Sequence, residues 1–233
     1  MGHTDAVTSA AFSPDGNTVV TASYDTSARL WDAATGQELR RLQGHTDLVN
    51  SAAFSPDGVT IVTASDDTTA RLWDAATGQE VRRLQGHTAP VNFAVFGPDG
   101  KQIVTTSSDA TARLWDAATG QELRRLQGHT GAVYSAAFSP DGVTIVTASR
   151  DNSARLWDAA SGQELRQFQG HTGWVSSAAF SPNGKTIVTA SRDRTARLWV
   201  ADIRDLLAQA ASLIQRDPPV FTAEEYGQYG LGQ

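Results

Sequence analysis

Apolar and polar positions alternate over short stretches of this chain rather than at helical spacing. Four such stretches, "VTSAAF", "TVVTAS", "SARLW" and "ELRRLQ", follow one another near the start and are separated by "SPDG", "YD" and "DAATGQ". Alternation with β-branched residues predicts strands, and the separators are typical turn sequences. In "SPDG", Pro14 suits the first central turn position and Gly16 a positive φ. The pattern predicts four strands without a helix.

The pattern repeats with a period of 42 residues, the separation of His3 from His45. A fixed period of this length is typical of a repeat architecture. Five units are predicted, over residues 2–43, 44–85, 86–127, 128–169 and 170–200. A tail of residues 201–233 follows them.

The motifs "GHT…FSPDG…TAS-x-D…ARLWD" recur in these units. Gly-His, Asp and Trp-Asp are in place in four of them, and the fifth has Trp199-Val200 in place of Trp-Asp. In these motifs the chain resembles the WD-repeat family over about 200 of its 233 residues. The resemblance implies an all-β fold for residues 1–200, a β-propeller of five four-stranded blades with a short C-terminal α-helical tail.

The same resemblance implies that a hydrogen-bonded tetrad of Asp, His, Thr and Trp holds each blade together. Copied onto this sequence, the five tetrads are Asp25, His3, Thr21 and Trp31; Asp67, His45, Thr63 and Trp73; Asp109, His87, Thr105 and Trp115; Asp151, His129, Thr147 and Trp157; and Asp193, His171, Thr189 and Trp199. All five sets are complete.

The tetrad assignment leaves few side chains that could serve as catalytic groups or metal ligands. Every histidine belongs to a tetrad and the chain has no cysteine, so we expect no catalytic residues, metal site or cofactor. An enzyme with its site in the central channel is the alternative. The channel-lining positions are mostly Ala and Ser, which offer no converging carboxylates or histidines.

The net charge and hydropathy of the chain limit the classes of partner that we expect. The net charge of −6 argues against nucleic acid, and we expect the repeated arginines to lie on a solvated strand face beside carboxylates. No stretch approaches the roughly 18 apolar residues of a membrane span. Nothing at the N-terminus resembles a signal peptide, so we expect a cytoplasmic protein without a membrane partner.

Four positions per unit vary while the framework is copied. They lie three and five residues after each His and on either side of the tetrad Asp, and a four-stranded meander brings them to one end of the blades. We call this end the rim. Aromatic residues and arginine are typical of interface hot spots, and WD-repeat proteins commonly bind partners there. The predicted partner-binding residues are Tyr24, Leu48, Asn50, Asp66, Asn92, Tyr134, Arg150, Trp174, Arg192 and Arg194. Drift after recent duplication is the alternative interpretation.

The tail raises a separate question. Ile203, Leu206, Leu207, Ala210 and Leu213 have helical spacing, and Pro218 ends the pattern. The helix takes the place of the outer strand that Glu38–Leu42 supplies in the first unit. The tail resembles those that follow propellers in large bacterial signalling proteins, including kinases and signal-transducing ATPases. An N-terminally truncated piece of such a protein, a tight five-blade ring and self-association through open blade edges are the three alternatives.

The predicted function is therefore a non-catalytic scaffold or sensor module. It binds a protein or peptide on the rim, and Asp66 favours mixed rather than purely anionic recognition. A structural fragment without activity of its own is the second hypothesis.

Overall fold

The structure is a computed structural model that describes residues 2–201. Within them the chain forms nineteen antiparallel strands and no helix, arranged as five sheets. The predicted C-terminal helix lies outside the described residues. The strands are β1 (Val7–Phe12), β2 (Thr18–Ser23), β3 (Ser27–Asp32), β4 (Glu38–Gln43), β5 (Val49–Phe54), β6 (Thr60–Ser65), β7 (Thr69–Asp74), β8 (Glu80–Gln85), β9 (Val91–Phe96), β10 (Gln102–Ser107), β11 (Thr111–Asp116), β12 (Glu122–Gln127), β13 (Val133–Phe138), β14 (Thr144–Ser149), β15 (Ala154–Asp158), β16 (Glu164–Phe168), β17 (Val175–Phe180), β18 (Thr186–Ser191) and β19 (Ala196–Val200).

Each sheet is one repeat, and its strands pair in sequence order as a meander. Blades 1 to 4 are β1–β4, β5–β8, β9–β12 and β13–β16, and blade 5 is β17–β19. The innermost strand of each blade packs against the innermost strand of the next. This arrangement confirms the predicted β-propeller. The fifth blade has three strands within residues 2–201, so the four-stranded plan holds for four blades.

The turns follow from their sequences. In blade 1 the hydroxyl of Ser13 donates to Asp15 Oδ1 at 2.6 Å, and the N–H of Gly16 donates to the carbonyl of Ser13 at 2.9 Å. Gly16 has a φ of 74°, a conformation that glycine adopts without steric cost. The "SPDG" sequence therefore forms the tight β1–β2 turn that it predicts.

The aspartate of the Trp-Asp pair closes the turn between the third and fourth strands. In blade 2, Asp74 Oδ1 accepts hydrogen bonds from the N–H and the hydroxyl of Thr77, both at 2.7 Å. Blade 5 has Val200 at this position, which cannot accept such bonds. The substitution therefore removes the turn cap at the point where the fourth strand is missing from the described part of the chain.

The apolar core lies between blades. Each blade has a trailing face, which packs on the following blade, and a leading face, which packs on the preceding one. Between blades 1 and 2 the trailing face consists of Val20, Ala22, Ala28, Leu30 and Leu42, and the leading face of Val49, Ala52, Ile61 and Trp73. Equivalent clusters fill the next two interfaces. Stability therefore depends on contacts between neighbouring repeats.

The expectation that the repeated arginines lie on a solvated face is wrong for four of the five. Arg29, Arg71 and Arg113 are buried and Arg155 is half-buried, whereas Arg197 is exposed. Within residues 2–201 no helix is long and apolar enough to cross a bilayer.

Candidate functional site

The tetrads form the hydrogen-bonded centre of every blade. In blade 2, Trp73 Nε1 donates to Thr63 Oγ1 at 2.8 Å. His45 Nε2 lies 2.7 Å from the same hydroxyl, and His45 Nδ1 lies 2.7 Å from Asp67 Oδ2. The other four blades repeat these contacts at 2.7 to 2.9 Å. The arrangement that the resemblance implied is present in all five.

The hydrogen-bond donors and acceptors of the blade 2 tetrad fit a neutral imidazole at His45. The hydroxyl of Thr63 accepts from tryptophan and donates to His45 Nε2, so the proton of His45 lies on Nδ1 and is donated to Asp67. Burial lowers the pKa of His45 below its ordinary value of 6.5, although Asp67 opposes the shift. Burial alone would raise the pKa of Asp67, but bonds from His45 and Thr69 hold it well below 3.8. Each polar side-chain atom of the blade 2 tetrad thus has a hydrogen-bond partner.

An arginine and a glutamate extend the tetrads of blades 1 to 3, which the sequence reasoning missed, and blade 4 repeats the Arg–Glu pair. Arg71 lies with Nη1 2.7 Å from Glu80 Oε2 and Nη2 3.2 Å from Asp67 Oδ2. A Cβ atom on Gly44 would come within 2.6 Å of Arg71 Nη1, so the glycine before His45 leaves room for the guanidinium. Both residues recur at the 42-residue period, and that recurrence is the signal that could have revealed them.

These contacts give the histidines and repeated arginines structural duties. Within residues 2–201 no three His, Asp or Glu side chains are grouped so that they could hold a metal ion. A cleft along the innermost strands of blades 3 to 5 is lined by Phe, Val, Ala, Ser and Pro side chains, among them Phe138, Ser177 and Pro182. Its lining contains no group that titrates near neutral pH.

The rim brings the variable positions together in pairs. The N–H of the residue before each tetrad Asp donates to the carbonyl of the residue three after the His, as from Arg192 to Trp174 at 2.8 Å. The corresponding pairs are Tyr24 with Ala6, Asp66 with Leu48, Ser108 with Pro90, and Arg150 with Ala132. The predicted clustering at one end of the blades is therefore present for these two sets.

The rim of blades 1 to 3 is occupied by internal contacts. Thr8, Asn50 and Asn92 each donate a side-chain hydrogen bond to a valine carbonyl of the next blade, at 2.7, 3.0 and 2.8 Å. Asn50 also donates to Asp66 Oδ1 at 2.7 Å. These residues vary between units but still have a structural role, because they tie neighbouring blades together.

The rim of blades 4 and 5 differs from the rest. Trp174 is half-buried, and two guanidinium carbons lie near its ring centroid, that of Arg150 at 4.3 Å and that of Arg192 at 4.7 Å. The ring of Tyr134 is centred 6.1 Å from that of Trp174. Both arginines are exposed. We call these four residues the Trp174 cluster.

The residue after each tetrad Asp has a left-handed conformation. Thr26, Thr68, Ala110, Asn152 and Arg194 have φ values between 65° and 71°. This conformation is energetically unfavourable for side chains other than Asn, and most unfavourable for β-branched Thr. In blade 5 the turn places Arg194, which is exposed, two residues from Arg192.

The predicted rim residues therefore separate into two groups. Asn50, Asp66 and Asn92 are half-buried and bonded within the rim, and Leu48 is half-buried in the loop that enters blade 2. Tyr24 is exposed, apart from the Trp174 cluster, on blade 1. Only the blades 4 and 5 members combine aromatic surface with several cations.

Comparison with known families agrees with this geometry. The family model described as "WD domain, G-beta repeat" matches five segments, residues 1–32, 36–74, 78–116, 120–158 and 162–200. Each segment ends with the third strand of one blade, and the second to fifth segments begin just before the fourth strand of the preceding blade.

Proposed function

Because this chain belongs to the WD-repeat family, we propose that it is a non-catalytic interaction module that binds a protein or peptide on the rim of blades 4 and 5. WD-repeat domains are generally protein–protein interaction modules and typically non-catalytic scaffolds. The observation that carries the choice of surface is the Trp174 cluster. Tryptophan, tyrosine and arginine are the side chains most enriched in interface hot spots.

The chemistry of the cluster favours an acidic partner segment. The guanidinium groups of Arg150, Arg192 and Arg194 form no ion pair with any residue in 2–201. The nearest aspartates in sequence, Asp151 and Asp193, are committed to His129 and His171. Carboxylate or phosphate groups would therefore find donors there without displacing an internal partner.

Asp66 does not change this chemistry. Its carboxylate accepts a hydrogen bond from Asn50 and lies in blade 2, whereas the cluster lies in blades 4 and 5. We therefore propose that the partner segment is acidic rather than mixed in charge. It also carries an aromatic or aliphatic side chain that contacts Trp174. The aromatic contact supplies buried apolar area, and the cations supply orientation and rate of association.

The test is a pull-down with the purified chain, in which every captured protein is quantified. The variant Trp174→Ala with Arg192→Ala removes the centre of the cluster. A matched variant, Val143→Ala with Lys185→Ala, changes two exposed residues at the opposite end of the same blades. We expect the cluster variant to lose proteins that the wild type and matched variant retain, and added salt to weaken the same interactions.

Undiminished capture by the cluster variant, at an unchanged melting temperature, would contradict the proposal. That result would favour the second hypothesis, a structural module without binding activity of its own.

A further inference from the structure

The loop that enters each blade is fixed against the turn between the second and third strands. In every blade the serine that ends the second strand donates its hydroxyl to the carbonyl of the residue two positions after the His, at 2.9 to 3.2 Å. We call this second residue the entry residue. In blades 1 to 5 it is Asp5, Asp47, Ala89, Gly131 and Gly173. Because the loop is held in the same way in all five blades, the entry residues can be compared directly.

Glycine is the entry residue in the two blades where arginine precedes the tetrad Asp. Gly131 belongs to the blade of Arg150, and Gly173 to the blade of Arg192. The corresponding pairs in blades 1 to 3 are Asp5 with Tyr24, Asp47 with Asp66, and Ala89 with Ser108. An aspartate therefore stands at the entry position only in blades that lack this arginine.

The two positions of each pair are in contact in blades 4 and 5. A Cβ atom on Gly131 would lie 3.2 Å from Arg150 Cβ, and a Cβ atom on Gly173 would lie 3.1 Å from the carbonyl carbon of Arg192. A side chain at either entry position would therefore start beside the stem of the arginine.

Blades 1 and 2 show where an entry carboxylate lies. Asp5 Oδ1 and Asp47 Oδ1 each accept the N–H of the following residue, at 2.6 and 2.8 Å. Both aspartates are exposed on the rim. In blade 5 the residue that follows the entry position is Trp174, so the same arrangement would place a carboxylate at the Trp174 cluster.

Such a carboxylate would compete with a partner for the guanidinium groups. Arg150 and Arg192 form no ion pair within residues 2–201, and their guanidinium carbons lie 4.3 and 4.7 Å from the ring centroid of Trp174. An aspartate beside either arginine stem would offer that cation an internal partner of opposite charge. Glycine offers none.

We propose that Gly131 and Gly173 determine the charge specificity of the rim of blades 4 and 5. With no side chain beside Arg150 and Arg192, both guanidinium groups stay available to the carboxylate or phosphate groups of a partner segment. An aspartate at either entry position forms an internal ion pair and weakens the preference for an acidic segment. This specificity rests on the proposed function, since it concerns the same surface.

The experiment measures binding of the full chain to a fluorescein-labelled peptide of four glutamates and one tyrosine, by fluorescence anisotropy. Gly131→Asp and Gly131→Asn introduce side chains of the same size, so a steric effect is common to both and their difference reports the charge. We expect the Asp variant to bind about fivefold more weakly than the Asn variant at low ionic strength, and added sodium chloride to reduce the difference. A merely structural role of Gly131 would weaken both variants equally.

A control for net charge is Val143→Asp, which adds the same charge to an exposed residue at the opposite end of blade 4. This variant should bind the peptide like the wild type. The pair Gly173→Asp and Gly173→Asn repeats the comparison in blade 5 if a blade 4 variant melts below the wild type.

The cluster variant, Trp174→Ala with Arg192→Ala, separates this specificity from the proposed function. If the cluster variant loses the peptide while the Asp and Asn variants bind it equally, the glycines do not determine specificity but the binding surface stands. If the cluster variant binds the peptide as tightly as the wild type, or the wild type does not bind it, the proposed surface and its specificity are both overturned.

Discussion

Two adjacent threonines of β10 are equally buried but differ in their hydrogen bonding. Thr105 Oγ1 accepts from Trp115 Nε1 and bonds His87 Nε2, both at 2.8 Å. Thr106 is equally buried, but its hydroxyl has no partner within residues 2–201. The other four blades carry alanine at the position of Thr106. One side chain is thus satisfied and the other is not, although both are the same residue type.

We predict that Thr106→Val stabilises the protein by about 1 kcal/mol, because a methyl group replaces an unsatisfied buried hydroxyl of similar size. The same change at Thr105 should destabilise by about 3 kcal/mol, since it leaves the buried indole N–H and imidazole nitrogen without partners. Urea unfolding of both variants beside the wild type measures the two effects. Equal shifts of the two midpoints would contradict the tetrad geometry.

In blades 2 to 4 the preceding blade buries the tetrad tryptophan. Trp115 lies against the trailing face of blade 2 and is fully buried, as are Trp73 and Trp157. Trp31 makes the same hydrogen bond to its threonine but has no blade before it in the described residues, and it is half-exposed. The same side chain therefore has one neighbouring sheet fewer in blade 1.

We predict that Trp115→Ala lowers the free energy of unfolding by about 3–5 kcal/mol, through a cavity between blades and a lost tetrad partner. Trp31→Ala, which removes the same hydrogen bond with less buried area, should cost clearly less. Thermal and urea unfolding compare the two variants. A Trp115→Ala melting curve that matches the wild type would be incompatible with the interface described above.

The five tetrads give the whole molecule a common response to acid. Desolvation alone would raise the pKa of the tetrad aspartates, but hydrogen bonds from hydroxyl, imidazole and backbone N–H groups hold the pKa of all five well below 3.8. Burial lowers the pKa of His45 below 6.5. In both cases the unfolded chain binds more protons than the folded one, so unfolding is favoured as pH falls.

We predict that the free energy of unfolding starts to decline as pH falls through about 6.5, from His45, and declines more steeply below 3.8, from the aspartates. Urea unfolding across this range measures the profile. Asp67→Asn, although destabilising at neutral pH, should flatten the steep part because one titrating group is gone. A profile without a slope between pH 6.5 and 3.8, or one that rises on acidification, would contradict it.

Two sets of arginines in the described part of the chain lie in different environments. The repeated arginines of blades 1 to 4 pair with Glu38, Glu80, Glu122 and Glu164, while those of the Trp174 cluster have no carboxylate partner within residues 2–201. The sequence contains both sets, and composition alone cannot separate them. The first set supports the fold, and the second is left for the proposed partner.

The cytoplasmic location of the protein stays a prediction.

The sequence by itself determined the repeat and its strands. The 42-residue period, the alternation and the turn residues Gly16 and Asp74 depend on contacts within one unit, so five units of strands could be predicted, and the resemblance to the WD-repeat family implied their tetrads. The departure at Val200 lies in the unit that has three strands within residues 2–201.

Only the tertiary structure decided which neighbour each side chain meets. Alternation shows the side of a strand but not what packs there, because sheet twist and the spacing of blades set those distances. Packing between blades buried Arg71, drew Asn50 into a bond with the next blade, and brought Arg150 and Arg192 beside Trp174.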